Sequence, residues 1–216
     1  AEEHGIATYR VGQISKHPRF EELRLKSLYL GLSDGARTNE LRRASDGGIS
    51  NEQIWQAYEL GEQKSEDMLK ELTKSLQKSG SSVESPRFNL IWLLDDFSGS
   101  GNTYIRYDGK ERRFKGKLKK IYEQLHQGRL VDPSHYEVFL LLYVATQQAV
   151  DHIEYWCDRF TSDNGYKPLQ VRVLCPLEKR IALKSGLTAE VRGLLANERY
   201  FDRRVATDPH IAVGGA

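Results

Sequence analysis

Near the middle of the chain, Asn89-Leu90-Ile91-Trp92-Leu93-Leu94 runs without a charge and stops at two adjacent carboxylates, Asp95 and Asp96. A short uncharged run of this kind reads as a strand buried on both faces, the signature of a parallel sheet covered by helices. Beyond the carboxylates, Phe97 leads into Ser98, Gly99, Ser100, Gly101, Asn102 and Thr103. Glycines let the backbone turn its N–H groups toward one point, and hydroxyls add further donors. A helix starting after the loop would add a partial positive charge. The loop suits a phosphate monoester, while the carboxylates suit a vicinal diol or a magnesium ion. Diol and phosphate together describe a ribose 5-phosphate. The plainer alternative is a strand followed by an ordinary Gly/Ser turn, with Asp95 and Asp96 as caps. Against it, two consecutive aspartates at the end of a buried strand are costly without a ligand.

A nucleotide P-loop is excluded, because Asn102 stands where that motif needs lysine. Haloacid-dehalogenase-type phosphatases fit less well, since their two aspartates are separated by one residue. The segment resembles the signature of type I phosphoribosyltransferases: hydrophobic strand, acidic pair, small hydroxyl-rich loop, Gly, any residue, Thr. The resemblance implies that Asp95 and Asp96 hold the ribose hydroxyls of phosphoribosyl pyrophosphate and its Mg²⁺. It also implies that the loop from Ser98 to Thr103 wraps the 5′-phosphate. Ser100, Gly101 and Thr103 fit that pattern, whereas Phe97, Ser98 and Gly99 depart from it.

The remaining chain is consistent with one α/β domain. Its 216 residues are 39% hydrophobic and 29% charged, and no apolar stretch approaches transmembrane length. The N-terminus Ala1-Glu2-Glu3-His4 lacks a signal peptide's charge pattern. Cys157 and Cys175 lack any metal-ligand spacing and read as reduced core residues, which favours the cytoplasm. Residues 1–24 form a polar extension with a hint of helix at Phe20-Glu21-Glu22-Leu23. A first strand is expected over 25–32 and a helix from Thr38. Ser50 and Gln53 form a capping box, expected to open a long helix through Ile54, Tyr58, Met68, Leu72 and Leu76. After a loop over 77–86 and the signature strand come a helix at 115–127, a strand at 138–145, a helix at 147–160 and a strand at 169–175. A charged helical segment ends near Tyr200, and the tail 206–216 reads as edge-strand material without a closing element, as in a truncated chain. Strands separated by helices predict a mainly parallel central sheet with helices on both faces.

Two further segments carry candidate chemistry. Ser33, Asp34, Gly35, Ala36 and Arg37 follow the first strand, where the phosphoribosyltransferase resemblance implies a pyrophosphate-binding loop. Gly35 permits unusual backbone angles, Ser33 supplies a hydroxyl and Arg37 a forked cation. A helix N-cap turn with a solvated arginine is the competing reading. The second segment, within 104–127, is a basic insertion and helix. Eight cations between Arg106 and Lys120 face two carboxylates, Asp108 and Glu111, a local excess of +6 in a chain of net charge +2. Interleaved Tyr104, Tyr107 and Phe114 would suit base stacking. Arg112, Arg113 and Lys115 are therefore candidate nucleic-acid or partner contacts, or else a solvated helix face.

The stretches Gly31-Leu32-Ser33-Asp34-Gly35-Ala36-Arg37 and Ile49-Ser50-Asn51-Glu52-Gln53-Ile54-Trp55, taken with the signature, are similar to phosphoribosyltransferase-like proteins of bacterial conflict systems, including retron-associated effectors. That similarity implies an anti-phage toxic effector restrained by a reverse transcriptase and its DNA product. Two functions from different classes follow. One is a transferase that makes or breaks a ribosyl bond. The other is a non-catalytic ribose-phosphate sensing module that binds a nucleic-acid or protein partner.

Overall fold

A computed structural model of the chain describes residues 12–14, 17–59, 61–81, 83, 85–178, 188–195, 197 and 199. The tail 206–216, much of the N-terminal extension and most of the segment ending near Tyr200 lie outside the described residues. The architecture is α/β, a five-stranded, fully parallel sheet flanked by helices.

Helix α1 (Pro18–Leu25) opens with proline at its first turn and His17 as cap, the His17 ring accepting from the Arg19 amide at 3.2 Å. It runs into strand β1 (Ser27–Gly31), shorter than expected because Leu25 belongs to the helix. A single 3₁₀ turn, Asp34–Ala36, precedes helix α2 (Thr38–Ala44). The Ser50–Gln53 capping box forms, yet it heads only a 3₁₀ turn, Asn51–Gln53. Strand β2 (Ile54–Gln56) then pairs parallel to β1, and helix α3 starts later, spanning Glu62–Lys78. The physical reason lies in Gln53. Its buried amide donates to the Arg24 carbonyl at 2.6 Å and the Ser27 carbonyl at 2.9 Å, pinning the turn beside β1. Ile54 and Trp55, good strand formers, are thereby delivered to the sheet edge.

Strand β3 (Leu90–Ser98) continues through both aspartates. A two-stranded hairpin follows, β4 (Arg106–Asp108) and β5 (Arg113–Lys115), then helix α4 (Lys117–Gln127). Strand β6 (Glu137–Thr146) passes directly into helix α5 (Gln147–Asn164), which leads to strand β7 (Leu169–Leu177). A short helix α6 (Ala189–Leu195) is the last described element.

Strand order is β2-β1-β3-β6-β7. Leu30, Leu93, Leu140 and Val171 fall in one register row across the sheet, and all four are buried. This face packs against Met68, Leu72 and Leu76 of α3, Leu118, Ile121 and Leu125 of α4, and Ile153, Cys157 and Phe160 of α5. Their spacing of three and four residues puts each set on one helical stripe. One residue earlier, Tyr29, Trp92 and Phe139 form the row on the opposite face, Trp92 and Phe139 stacked at 4.4 Å. Right-handed crossovers put α2 on that second face, since β1 to β2 runs opposite to every other parallel connection. Cys157 is buried as expected, and burial pushes its thiol pKa up to about 12. Cys175 is exposed near the end of edge strand β7, correcting the expectation that both cysteines belong to the core.

Candidate functional site at the carboxyl ends of β1 and β3

Strands β1 and β3 are neighbours, but the chain leaves β1 toward β2 on one side and β3 toward β6 on the other. Their outgoing loops diverge beyond the carboxyl ends of the strands. In open α/β sheets this reversal of strand order is where ligands bind. Both loops singled out in the sequence sit there. The Leu32 amide donates to the Leu94 carbonyl at 2.9 Å, holding the two exits side by side.

The adjacent aspartates have different environments, because successive strand residues point to opposite faces. Asp95 is turned inward and is 2% exposed. One carboxylate oxygen accepts from the Ser33 hydroxyl and, at 3.1 Å, from the Asp96 amide. The other accepts from the Tyr104 hydroxyl at 2.8 Å and the Lys117 ammonium at 3.1 Å. Burial raises the Asp95 pKa, but the two hydroxyls and the Lys117 charge outweigh it and hold the carboxyl below its ordinary value. Burial and the neighbouring carboxylate push the Tyr104 phenol far up, so it remains a donor.

Asp96 is the exposed carboxylate, its Oδ1 accepting from the Phe97 amide at 2.8 Å. Gly35 lies directly against it. A Cβ at position 35 would overlap the Asp96 carboxyl group, so a larger residue there would displace that carboxylate. Ala36 is fixed from across the sheet by the Tyr143 hydroxyl, which donates to its carbonyl at 2.7 Å. Asp34 and Arg37 are exposed, and Arg37 adopts a left-handed conformation with φ 47°.

Of the expected phosphate loop, Ser98 is 3% exposed and lies beside the Tyr104 hydroxyl inside the fold. Gly99 and Thr103 are exposed, Ser100 and Asn102 half-buried, and Gly101 buried. The Thr146 hydroxyl donates to the Gly99 carbonyl at 2.6 Å and caps α5 by accepting from the Ala149 amide at 3.1 Å. Gly101 has φ 77°, and a Cβ there would lie 2.8 Å from the Ala149 carbonyl. Among the described residues, the amides of Ser100, Gly101 and Thr103 donate to no backbone carbonyl.

The loop does join a helix, by an indirect route. The Gly101 carbonyl accepts from the Tyr104 and Ile105 amides, making one helical turn. The chain departs through the hairpin and returns at Gly116. There the Lys117 and Leu118 amides donate to the Thr103 and Tyr104 carbonyls at 3.1 and 2.9 Å. The hairpin is therefore spliced into a helix whose first turn is formed by the loop. Gly116, with φ 127° and ψ 178°, makes the splice possible, because a Cβ there would overlap the Tyr104 carbonyl.

The hairpin is anchored by aromatic rings. Tyr107 stacks on Trp156 of α5 at 5.9 Å, and Phe114 packs edge-on against Phe160 at 5.4 Å. These rings pack the hairpin onto α5, while Tyr107 stays 40% exposed. Lys115 lies in β5 and pairs with Asp108 and Glu111, while Arg113 pairs with Glu111. The Lys115 hydrogen bond, foremost, holds the Asp108 carboxyl at about 2. Arg112 sits in the turn with φ 51° and is exposed.

Reading the sequence missed Tyr104 and Lys117 as partners of Asp95, and Phe97, 54% exposed beside Asp96. A tyrosine and a lysine shortly after an acidic pair were the available signals. Their distance from Asp95 along the chain hid the contact. Among the described residues, no group of three or more His, Cys, Asp or Glu side chains converges as a metal cage. A magnesium ion here would use Asp96 as its open carboxylate and share the ligand's phosphates and water, a normal arrangement for that ion. Among the described residues no helix is long and apolar enough to cross a membrane. No family model, no curated protein and no solved structure matches the chain.

Proposed function

We propose that the surface at the carboxyl ends of β1 and β3, with the loops that leave them, binds a ribose 5-phosphate ligand such as phosphoribosyl pyrophosphate, together with Mg²⁺. The observation that carries this reading is the juxtaposition of an open carboxylate, Asp96, with an amide-rich Gly/Ser loop at a reversal of strand order. In this reading Asp96 accepts from ribose hydroxyls or holds the metal, and the amides of Ser100, Gly101 and Thr103 receive the 5′-phosphate. Ser33 through Arg37 close the other side, with Arg37 toward pyrophosphate oxygens. Asp95 positions both loops through Ser33 and Lys117 and does not touch the ligand. The chemistry is the making or breaking of a ribosyl bond in the cytoplasm. Mg²⁺, when bound, would neutralise the leaving pyrophosphate. A place in anti-phage defence beside a reverse transcriptase rests on the sequence resemblance alone.

One observation favours the second reading, a sensing module without turnover. Four donors, two on each oxygen, already engage the Asp95 carboxylate, so half of the acidic pair is committed to the fold. Titration calorimetry with phosphoribosyl pyrophosphate and Mg²⁺, and a turnover assay over bases, nucleotides and NAD, separate the two. Under both readings, Asp96→Asn and Gly35→Ala weaken binding roughly tenfold or more, the value of one charge-assisted hydrogen bond. Product formation identifies the transferase, and binding without product identifies the sensor. A chain that binds no ribose phosphate defeats both.

A further inference from the structure

The hairpin between β3 and α4 borders a second cleft. Between β4–β5 and the first turns of α4 lies a cavity of about 470 Å³. Six cations line it: Arg106, Arg113, Lys115, Lys117, Lys119 and Lys120. No carboxylate lines it. The acids that balance these cations, Asp108, Glu111, Asp95 and Glu123, are not among its lining residues. Among the described residues Arg106 and Lys120 hold no ion pair, and Arg106 donates to the Asn102 carbonyl at 3.1 Å. Six cations against four acids leave a local excess of +2 directed at one concave space. Like charges gathered this way repel one another unless an anion joins them. The Thr103 hydroxyl adds a neutral donor at the rim nearest the Gly/Ser loop.

We infer that this cleft is an oligophosphate-binding site, adjoining the proposed ribose-phosphate site at Thr103 and bordered by the hairpin. Arg106 and Lys120 make the primary contacts, since neither must first leave a carboxylate. Forked guanidinium groups from β4 and β5 and ammonium groups from α4 reach the same oxygens from two sides. Lys117 links the two sites. Its ammonium lines the cleft while bonding Asp95 at 3.1 Å, and its side chain is 37% exposed. An anion in the cleft therefore competes with Asp95 for this lysine. The phosphates can belong to a free oligophosphate or to a nucleic-acid backbone, and the chemistry recognised is the same.

The test is titration calorimetry of the full chain with inorganic triphosphate and, separately, with a short single-stranded oligonucleotide, each at several salt concentrations. The expected result is binding of at least one probe that Arg106→Glu with Lys120→Glu weakens more than tenfold. The milder Arg106→Gln with Lys120→Gln weakens it less, at an unchanged melting temperature. Triphosphate binding identifies a free oligophosphate; oligonucleotide binding alone, with a steep salt dependence, identifies a nucleic-acid backbone. Asp96→Asn leaves either affinity unchanged. The inference is overturned if neither probe binds, if the glutamate variant binds as tightly as the parent, or if Asp96→Asn abolishes triphosphate binding. The last result would move the phosphates into the ribose-phosphate site and leave that reading standing.

Discussion

At the scale of single residues, Asp95 and Asp96 show how little adjacency along the chain says about role. Strand geometry sends one carboxylate into the fold and the other to its surface. A buried carboxylate survives only with donors on its oxygens, and Asp95 recruits Ser33, Tyr104, Lys117 and a backbone amide. Removing one such donor, as in Tyr104→Phe, is expected to cost about 1–2 kcal/mol in chemical denaturation. The pKa of Asp95 is lower in the folded chain than in the unfolded one. Its contribution is therefore complete above the ordinary carboxylate value of about 4 and is lost as pH falls through the lower folded value. Acid unfolding followed by circular dichroism should accordingly show a shallower pH dependence in Asp95→Asn than in the parent. An equal slope in both would mean that Asp95 is not held below its ordinary range.

At the scale of elements, the hairpin β4–β5 is the main departure from a regular alternation of strand and helix. Its basic residues were visible in the sequence, as was an interruption between the Gly/Ser loop and the following helix. What was not visible is that the helix resumes across the gap, with the Thr103 and Tyr104 carbonyls meeting the Lys117 and Leu118 amides. Gly116 makes this closure through a backbone conformation open essentially to glycine alone. Gly116→Ala should destabilise the chain by at least about 2 kcal/mol, by strain and by overlap with the Tyr104 carbonyl. Equilibrium denaturation measures it, and a loss below about half that value would show that the splice can relax. The capping box at Ser50–Gln53 teaches a related lesson. Its hydrogen bonds form as the sequence pattern indicates, yet they open a single 3₁₀ turn and do not begin α3. A local motif fixes a local geometry, and the buried Gln53 amide gave that geometry a different use.

At the scale of the whole molecule, stability and site are carried by different ends of the same strands. The central row Leu30–Leu93–Leu140–Val171 is sealed from water by α3, α4 and α5, while the site sits beyond the strand ends. Leu93→Ala should cost about 3–4 kcal/mol in denaturation, since the side chain is 0% exposed in the middle of the core. Asp96→Asn, on the exposed rim, should change stability by under about 0.5 kcal/mol while impairing the site. The sequence by itself indicated the class of fold, because uncharged strand-length runs such as Leu90–Leu94 alternate with helical stretches, the pattern of a helix-covered parallel sheet. It also marked the acidic pair and the two glycine-bearing loops as the chemically distinctive segments. Only the tertiary structure decided which aspartate stays open, that the loop after β1 meets the acidic pair, and that six cations share one cleft. Those outcomes depend on strand order and on contacts between residues far apart in the chain, such as Ser33 and Asp95, and neither periodicity nor spacing encodes them.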